Sequence, residues 1–160
     1  INLITAFIAA MTINLFESTI DKLVYLAVLM PIVASMGGVA ATQTLTIVIR
    51  GLTLQQINKA NIRWLFKREL VVSIINGIVL SVAIGGITFL WFQEAMISIL
   101  ICVAMTINLI SSVIAGMVVP IMLRKLNQDP AIAGSVVVTT VTDVVGFFSF
   151  LGLATIFLIN

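Results

Sequence analysis

Several chemically active residue types are scarce in this chain. It has no histidine and one cysteine, Cys102, which excludes a Cys/His metal site, a Ser-His-Asp triad and an intrachain disulfide. Charged residues make up 9% of the 160 residues, against about 25% in soluble domains. Since 61% of the residues are hydrophobic, so little charge cannot cover a water-facing surface. The composition therefore predicts an all-α integral membrane protein.

Long apolar runs, separated by short charged segments, predict five transmembrane helices in a single transmembrane domain over residues 1–160. A helix needs about 20 apolar residues to cross the hydrocarbon core of a bilayer. Four runs reach that length, and we interpret the shorter first run as a truncated span. The predicted helices cover roughly residues 1–16, 23–49, 70–92, 95–123 and 131–159.

The basic residues are concentrated on one side of the predicted helices. All but Lys22 lie in the second and fourth connecting segments, at Arg50, Lys59, Arg63, Lys67, Arg68, Arg124 and Lys125. The positive-inside rule makes that side cytoplasmic. We therefore predict a plasma (inner) membrane protein with its N-terminus inside and its C-terminus outside. Because membrane topology accounts for the basic residues, they do not indicate nucleic-acid binding.

Asp143 is the one charged residue in the middle of a predicted span. A charge at that depth costs roughly 2.5–3.5 kcal/mol on insertion scales, so an intramembrane carboxylate suggests a functional site. Thr139 and Ser135, one and two turns earlier, and Gly146, three residues later, share its helix face. Such a set of oxygen ligands suits Mg²⁺, Ca²⁺ or Mn²⁺. Two copies around a two-fold axis would bring two of these carboxylates together.

A structural role for this aspartate is the alternative. The carboxyl group could be neutral, or it could accept hydrogen bonds from Thr139, Thr140 or Thr142.

The second predicted span contains an unusual segment of small and polar residues. Pro31 favours a kink, and Gly37 and Gly38 permit close approach of another backbone. These small residues also fit an ordinary helix-packing face, but Thr42 and Gln43 favour a polar cavity.

Three further polar residues stand out in the predicted spans. Asn76 and Asn108 are lone amides, for which we predict interhelical hydrogen bonds. Glu69 precedes the third span and either pairs with a basic neighbour or attracts cations at a pore mouth.

The order and spacing of these features resemble the membrane domain of MgtE-type magnesium channels, and the resemblance covers essentially the whole chain. The residues that carry it are Phe16-Glu17-Ser18, Pro31, Gly37-Gly38, Gln43, Arg50-Gly51, Glu69, Asn108, Pro120, Asp129-Pro130-Ala131 and Asp143.

The resemblance implies a homodimer in the lipid bilayer, with a central pore lined by the second and fifth helices of both subunits. It places hydrated Mg²⁺ at Asp143, with Thr139 and Ser135 one and two turns earlier. The other pore-lining residues would be Gly37, Gly38, Thr42, Gln43, Thr140 and Gly146, with Glu69 at the pore mouth. Members of the family usually carry cytoplasmic domains before the membrane part, including paired CBS domains that sense Mg²⁺. We expect none of these domains within this chain.

The chain departs from the family pattern after the Gly-Gly pair. The family usually has Asn there, followed by small or amide residues, whereas this chain has Val39, Ala40, Ala41 and Thr42. The departure removes polar side chains from the second helix, so Mn²⁺ and Ca²⁺ stand beside Mg²⁺ as candidate ions.

Three functions remain open from the sequence. The leading one is a dimeric Mg²⁺ channel that conducts hydrated ions inward. The others are a proton-coupled cation transporter or exchanger that uses Asp143, and a membrane subunit without transport activity. An enzyme is not expected, because the chain offers no nucleophile–base pair.

Overall fold

The computed structural model describes residues 2–57 and 61–159, and across these residues it is helical with no strand. Lys59, which contributes to the charge asymmetry, lies outside the described residues. The helices are α1 (Asn2–Asn14), α2 (Glu17–Lys22), α3 (Tyr25–Thr53), α4 (Ile62–Phe92), α5 (Ala95–Lys125) and α6 (Pro130–Ala154), and α6 continues into a π-helical turn, Thr155–Ile159.

Four helical segments among the described residues are long and apolar enough to cross a membrane: α3, α4, α5 and Pro130–Ile159. Four of the five predicted helices are therefore present as long apolar helices. The first predicted span corresponds mainly to α1, which has 13 residues. At 1.5 Å per residue such a helix is about 20 Å long, less than the roughly 30 Å of the hydrocarbon core. A count of five transmembrane helices therefore stays a prediction.

Two of these helices extend well beyond their predicted ends. α4 begins at Ile62 rather than near residue 70, and α3 continues to Thr53 rather than residue 49. The predicted limits were set where charged residues begin. Lys and Arg are good helix formers, so charge marks the edge of the apolar segment and not the end of the helix.

The connections from α4 to α5 and from α5 to α6 are short turns whose residues fit the required backbone. Between α4 and α5, Gln93 adopts a left-handed conformation with φ of 56°. At the start of α6, the Asp129 carboxylate accepts a hydrogen bond from the Ala131 N–H at 2.8 Å, and Pro130 occupies the first turn. Asp129 is therefore an N-cap, and the Pro at the first turn lacks an N–H that would need a partner.

α5 is the central helix, and it packs against α3, α4 and α6. α3 also packs along α6, and α1 lies against α6. The largest buried cluster joins α3, α5 and α6 through side chains that include Leu26, Ile101 and Phe150. Because lipid is as apolar as these side chains, close packing is the main source of stability between the helices.

The outer surface is apolar. On α4 alone, Val71, Ile75, Val79, Val82 and Leu90 are more than half exposed. A monomeric soluble protein rarely leaves so large an apolar surface in water, so this surface fits contact with lipid.

Candidate functional site

An open groove of about 470 Å³ runs between α3 and α6. It is lined by Ala34, Ser35, Gly38, Val39, Thr42, Gln43, Thr139 and Asp143. The structure therefore brings together five of the predicted site residues, from helices that are far apart in sequence.

Helix geometry explains which residues reach the groove. On α3 the lining residues recur every four positions, from Ala34 to Gly38 and Thr42, and on α6 Thr139 and Asp143 are also four apart. The two helices meet at Gly38, where an added Cβ would lie 3.5 Å from the Thr139 methyl carbon Cγ2. Sequence reasoning did not single out Ala34 and Ser35, although the four-residue step from Gly38 and Val39 points to them.

The threonine hydroxyls around the groove donate to carbonyls of their own helices. Thr42 Oγ1 donates to Gly38 O at 2.8 Å, and Thr139 Oγ1 donates to Ser135 O at 2.6 Å. A hydroxyl that has used its proton in this way offers only lone pairs to another partner. Thr42 and Thr139 can therefore accept hydrogen bonds from water molecules on a hydrated cation.

Asp143 has a different environment from these threonines. It is half-buried, and no group within residues 2–57 and 61–159 donates a hydrogen bond to its carboxylate. Thr140 donates to Val136 O at 2.7 Å, and Thr142 donates to Thr139 O at 3.0 Å. The alternative in which neighbouring threonines hold this carboxyl group is therefore wrong in this structure.

The remaining residues predicted for the site lie elsewhere. Ser135 is exposed one turn before Thr139 and contributes the carbonyl that Thr139 bonds, while Thr140 is half-buried beside it. Gly37 and Gly146 are buried and face the Asn108 side chain inside the subunit. These two glycines therefore lie behind the groove and not along it.

A second cavity, also of about 470 Å³, lies between α3, α4 and α5. Its polar lining residues are Gln43, Thr44, Arg68, Glu69, Ser73 and Asn76. Val39 and Gln43 line both cavities, so they separate Glu69 on one side from Asp143 on the other.

The predicted interhelical hydrogen bond of Asn108 is confirmed. Its Nδ2 donates to Val33 O of α3 at 2.8 Å, and the side chain is fully buried. Asn76 is exposed at the second cavity instead.

This chain offers one carboxylate to the groove, that of Asp143. In the part of the chain that the structure describes, no three His, Cys, Asp or Glu side chains lie close enough together to hold a metal ion. One carboxylate half-neutralises a divalent ion, so tight binding of such an ion needs further ligands from water, from outside this chain or from both.

Comparison with known proteins identifies related chains. A sequence profile of the MgtE family, described as a divalent cation transporter, matches residues 30–153. The magnesium transporter MgtE of Bacillus subtilis is 36% identical over 151 residues, which are 94% of this chain and 34% of that relative. The magnesium transporters MgtE of Thermus thermophilus and Enterococcus faecalis are each 26% identical, over 98% and 93% of this chain and 34% and 33% of their own lengths.

The chain thus spans about a third of the length of the curated relatives it matches. The resemblance predicted from sequence is confirmed. The expectation that the chain is not an enzyme is also confirmed, because the matched relatives are named as transporters. On the extent of the profile match and the identity to the Bacillus subtilis relative, this chain belongs to the MgtE family of divalent cation transporters.

Proposed function

We propose that this chain is the membrane part of a dimeric channel that carries hydrated Mg²⁺ inward through a pore lined by α3 and α6. The observation that carries the proposal is the Asp143 carboxylate in the open groove, which has no hydrogen-bond donor among the described residues. An intramembrane carboxylate without a partner needs a cation, a proton or water. Transport is further supported by the relatives, which are named magnesium transporters.

The dimensions of the groove suit a hydrated ion. Mg²⁺ prefers six ligands and releases water reluctantly, and six waters at about 30 Å³ each occupy roughly 180 Å³. The groove of about 470 Å³ has room for such an ion on one subunit. Thr42 and Thr139 would accept hydrogen bonds from its waters, while Asp143 would supply the charge.

The open side of the groove supports a two-fold arrangement. A second copy that faces the first across α3 and α6 would close the groove and add a second Asp143. Two carboxylates neutralise one divalent ion, which offsets the cost of holding either charge within the membrane. The homodimer is thus part of the proposal, because the site is incomplete without it.

The direction of transport follows from the membrane potential. A divalent ion that moves inward gains about 4.6 kcal/mol per 100 mV, because each elementary charge gains about 2.3. With the basic segments on the cytoplasmic side, the N-terminus is inside and the C-terminus outside. Cytoplasmic CBS domains that precede the chain, in a longer protein of the length of its relatives, fit that orientation.

A proton-coupled exchanger is the second candidate, because a carboxylate without a donor can also carry a proton. In proteoliposomes of the intact protein, a channel gives Mg²⁺ influx that follows the membrane potential and is insensitive to an imposed pH gradient. An exchanger gives influx that follows the pH gradient at zero potential.

Substitution of Asp143 tests the proposed site. Asp143→Asn keeps the side-chain shape but removes the charge, so we expect Mg²⁺ influx to fall at least about tenfold, which corresponds to about 1.4 kcal/mol. Asp21→Asn changes an exposed carboxylate on α2 and serves as the matched control, which should retain wild-type influx. Equal influx in wild type and Asp143→Asn, with the same amount of folded protein, would remove Asp143 from the mechanism.

A further inference from the structure

Asn108 of α5 lies directly behind the groove, at the place where α3 and α6 pack together. Its side chain is fully buried, and its Nδ2 donates to Val33 O of α3 at 2.8 Å. Its own backbone carbonyl accepts the Ser112 hydroxyl at 2.7 Å. The Asn108 side chain of α5 is thus hydrogen-bonded to the backbone of α3.

Two glycines leave the space that this amide occupies. A Cβ added to Gly37 of α3 would overlap Asn108 Nδ2, and a Cβ added to Gly146 of α6 would lie 2.7 Å from the same atom. Gly37 is adjacent to Gly38 in the groove, and Gly146 is three residues after Asp143. The amide therefore fills the gap between the two turns that carry the groove residues.

Packing alone does not account for an amide at this position. Among the described residues, Asn108 Oδ1 has no hydrogen-bond partner although it is buried, and a buried acceptor without a partner is destabilising. Leucine has the same number and branching of side-chain heavy atoms and would avoid this cost. The bond to Val33 O is the interaction that the amide adds, and it fixes the position of α3 relative to α5.

We propose that Asn108 is a positioning residue for the cation site: it sets the spacing and rotation of α3 against α6, so that Thr42 and Asp143 face the same groove. The inference rests on the proposed function. A residue with this role affects the apparent affinity for the ion and the choice between ions, and not only the amount of folded protein.

A pair of compensating substitutions tests whether the Asn108 side chain fills the space beside Gly37. In the intact protein, Gly37→Ala should lower the unfolding temperature, because the new methyl group overlaps the Asn108 side chain. Mg²⁺ influx should fall at least about fivefold. Asn108→Ala should make room for it, so Gly37→Ala/Asn108→Ala should be no worse than Asn108→Ala alone. Gly86→Ala is the matched control, since nothing lies within 4 Å of its added Cβ. If the fold-loss of influx in the double variant equals the product of the fold-losses in the two single variants, the proposed packing at Asn108 is wrong.

Asn108→Leu tests the positioning role, because it keeps the number and branching of the side-chain heavy atoms and removes the hydrogen bond. We expect the half-saturating Mg²⁺ concentration of influx to rise at least about threefold and the ratio of Mg²⁺ to Ca²⁺ influx to change, with the elution volume of the purified protein unchanged. If Asn108→Leu is folded and both quantities equal those of wild type, Asn108 only fills space. If Asn108→Leu does not fold, the same two quantities are read in Asn108→Ser, with the same two outcomes.

Different results would contradict the cation site at Asp143 and the positioning role of Asn108. Wild-type influx in Asp143→Asn would contradict the cation site, whereas the unfolding temperatures of the compensating variants would still measure the contact between Asn108 and Gly37. The cation site would stand without Asn108 if two results came together. Asp143→Asn would lose influx, and folded Asn108→Leu would keep the wild-type half-saturating Mg²⁺ concentration and the wild-type ratio of Mg²⁺ to Ca²⁺ influx.

Discussion

At the scale of single residues, the groove contains two kinds of oxygen with different tasks. The Asp143 carboxylate carries charge and has no donor among the described groups, whereas Thr42 and Thr139 have hydroxyl protons already engaged with backbone carbonyls. Such threonines accept hydrogen bonds from water more readily than they donate them. In the proposed function, these two hydroxyls would accept hydrogen bonds from the waters of a hydrated cation beside Asp143.

The role of a single hydroxyl can be measured with Thr139→Val, which keeps the branched shape and removes the acceptor. One lost hydrogen bond of about 0.5–1.5 kcal/mol predicts that the half-saturating Mg²⁺ concentration rises about two- to tenfold. Thr5→Val is the control: Thr5 lies on α1, outside the groove, and its hydroxyl also donates to a carbonyl of its own helix, so this variant should match wild type in the same influx assay. A Thr139→Val protein with wild-type half-saturation would show that this hydroxyl does not contact the hydrated ion.

The sequence predicted the site residues unevenly, for reasons of helix geometry. Asp143 was identifiable because a charge in an apolar run is costly wherever the helix packs. Helical phase grouped Ser135, Thr139 and Gly146 with Asp143, and of these three Thr139 alone lines the groove with it. Helical phase shows on which face of the helix a residue lies. It does not show which neighbouring helix packs against that face at each position along the helix. At the height of Gly146 the Asn108 amide lies against the helix, so this glycine packs inside the subunit.

At the scale of helices, the apolar runs predicted which segments form helices better than where they end. α4 begins at Ile62 and α5 continues to Lys125, because basic residues continue a helix into the headgroup region at little cost. Specific capping is needed where a helix must begin abruptly. α6 has such a cap at Asp129, directly after the turn that follows α5.

The cap of α6 makes a separate prediction. Asp129→Ala removes the acceptor for the Ala131 N–H and should destabilise the protein by about 1 kcal/mol. Thermal unfolding of the purified protein should therefore occur a few degrees lower, while the half-saturating Mg²⁺ concentration stays at the wild-type value. Asp129→Asn retains an acceptor and should unfold close to wild type. If both variants unfold at the wild-type temperature, the cap contributes nothing measurable.

At the scale of the whole molecule, the arrangement of helices could not be read from the chain. Nothing in the composition of α5 identifies it as the central helix, because the long helices are all strongly apolar. Its position follows from small and fitted side chains along its length, such as Gly116, where an added Cβ would lie 2.7 Å from Ala41 O. Contacts of this kind depend on the partner helix, so a single-chain pattern does not reveal them.

In the proposed function, two copies of this chain build one ion site, and each copy contributes Asp143. The most direct measurement is Mg²⁺ influx by proteoliposomes made from cells that co-express wild-type and Asp143→Asn subunits in equal amounts. Random pairing gives about a quarter wild-type dimers and about a half mixed dimers. If each pore needs both carboxylates, influx falls to about a quarter of the wild-type value. If influx falls to one half, as independent subunits require, the shared site is wrong.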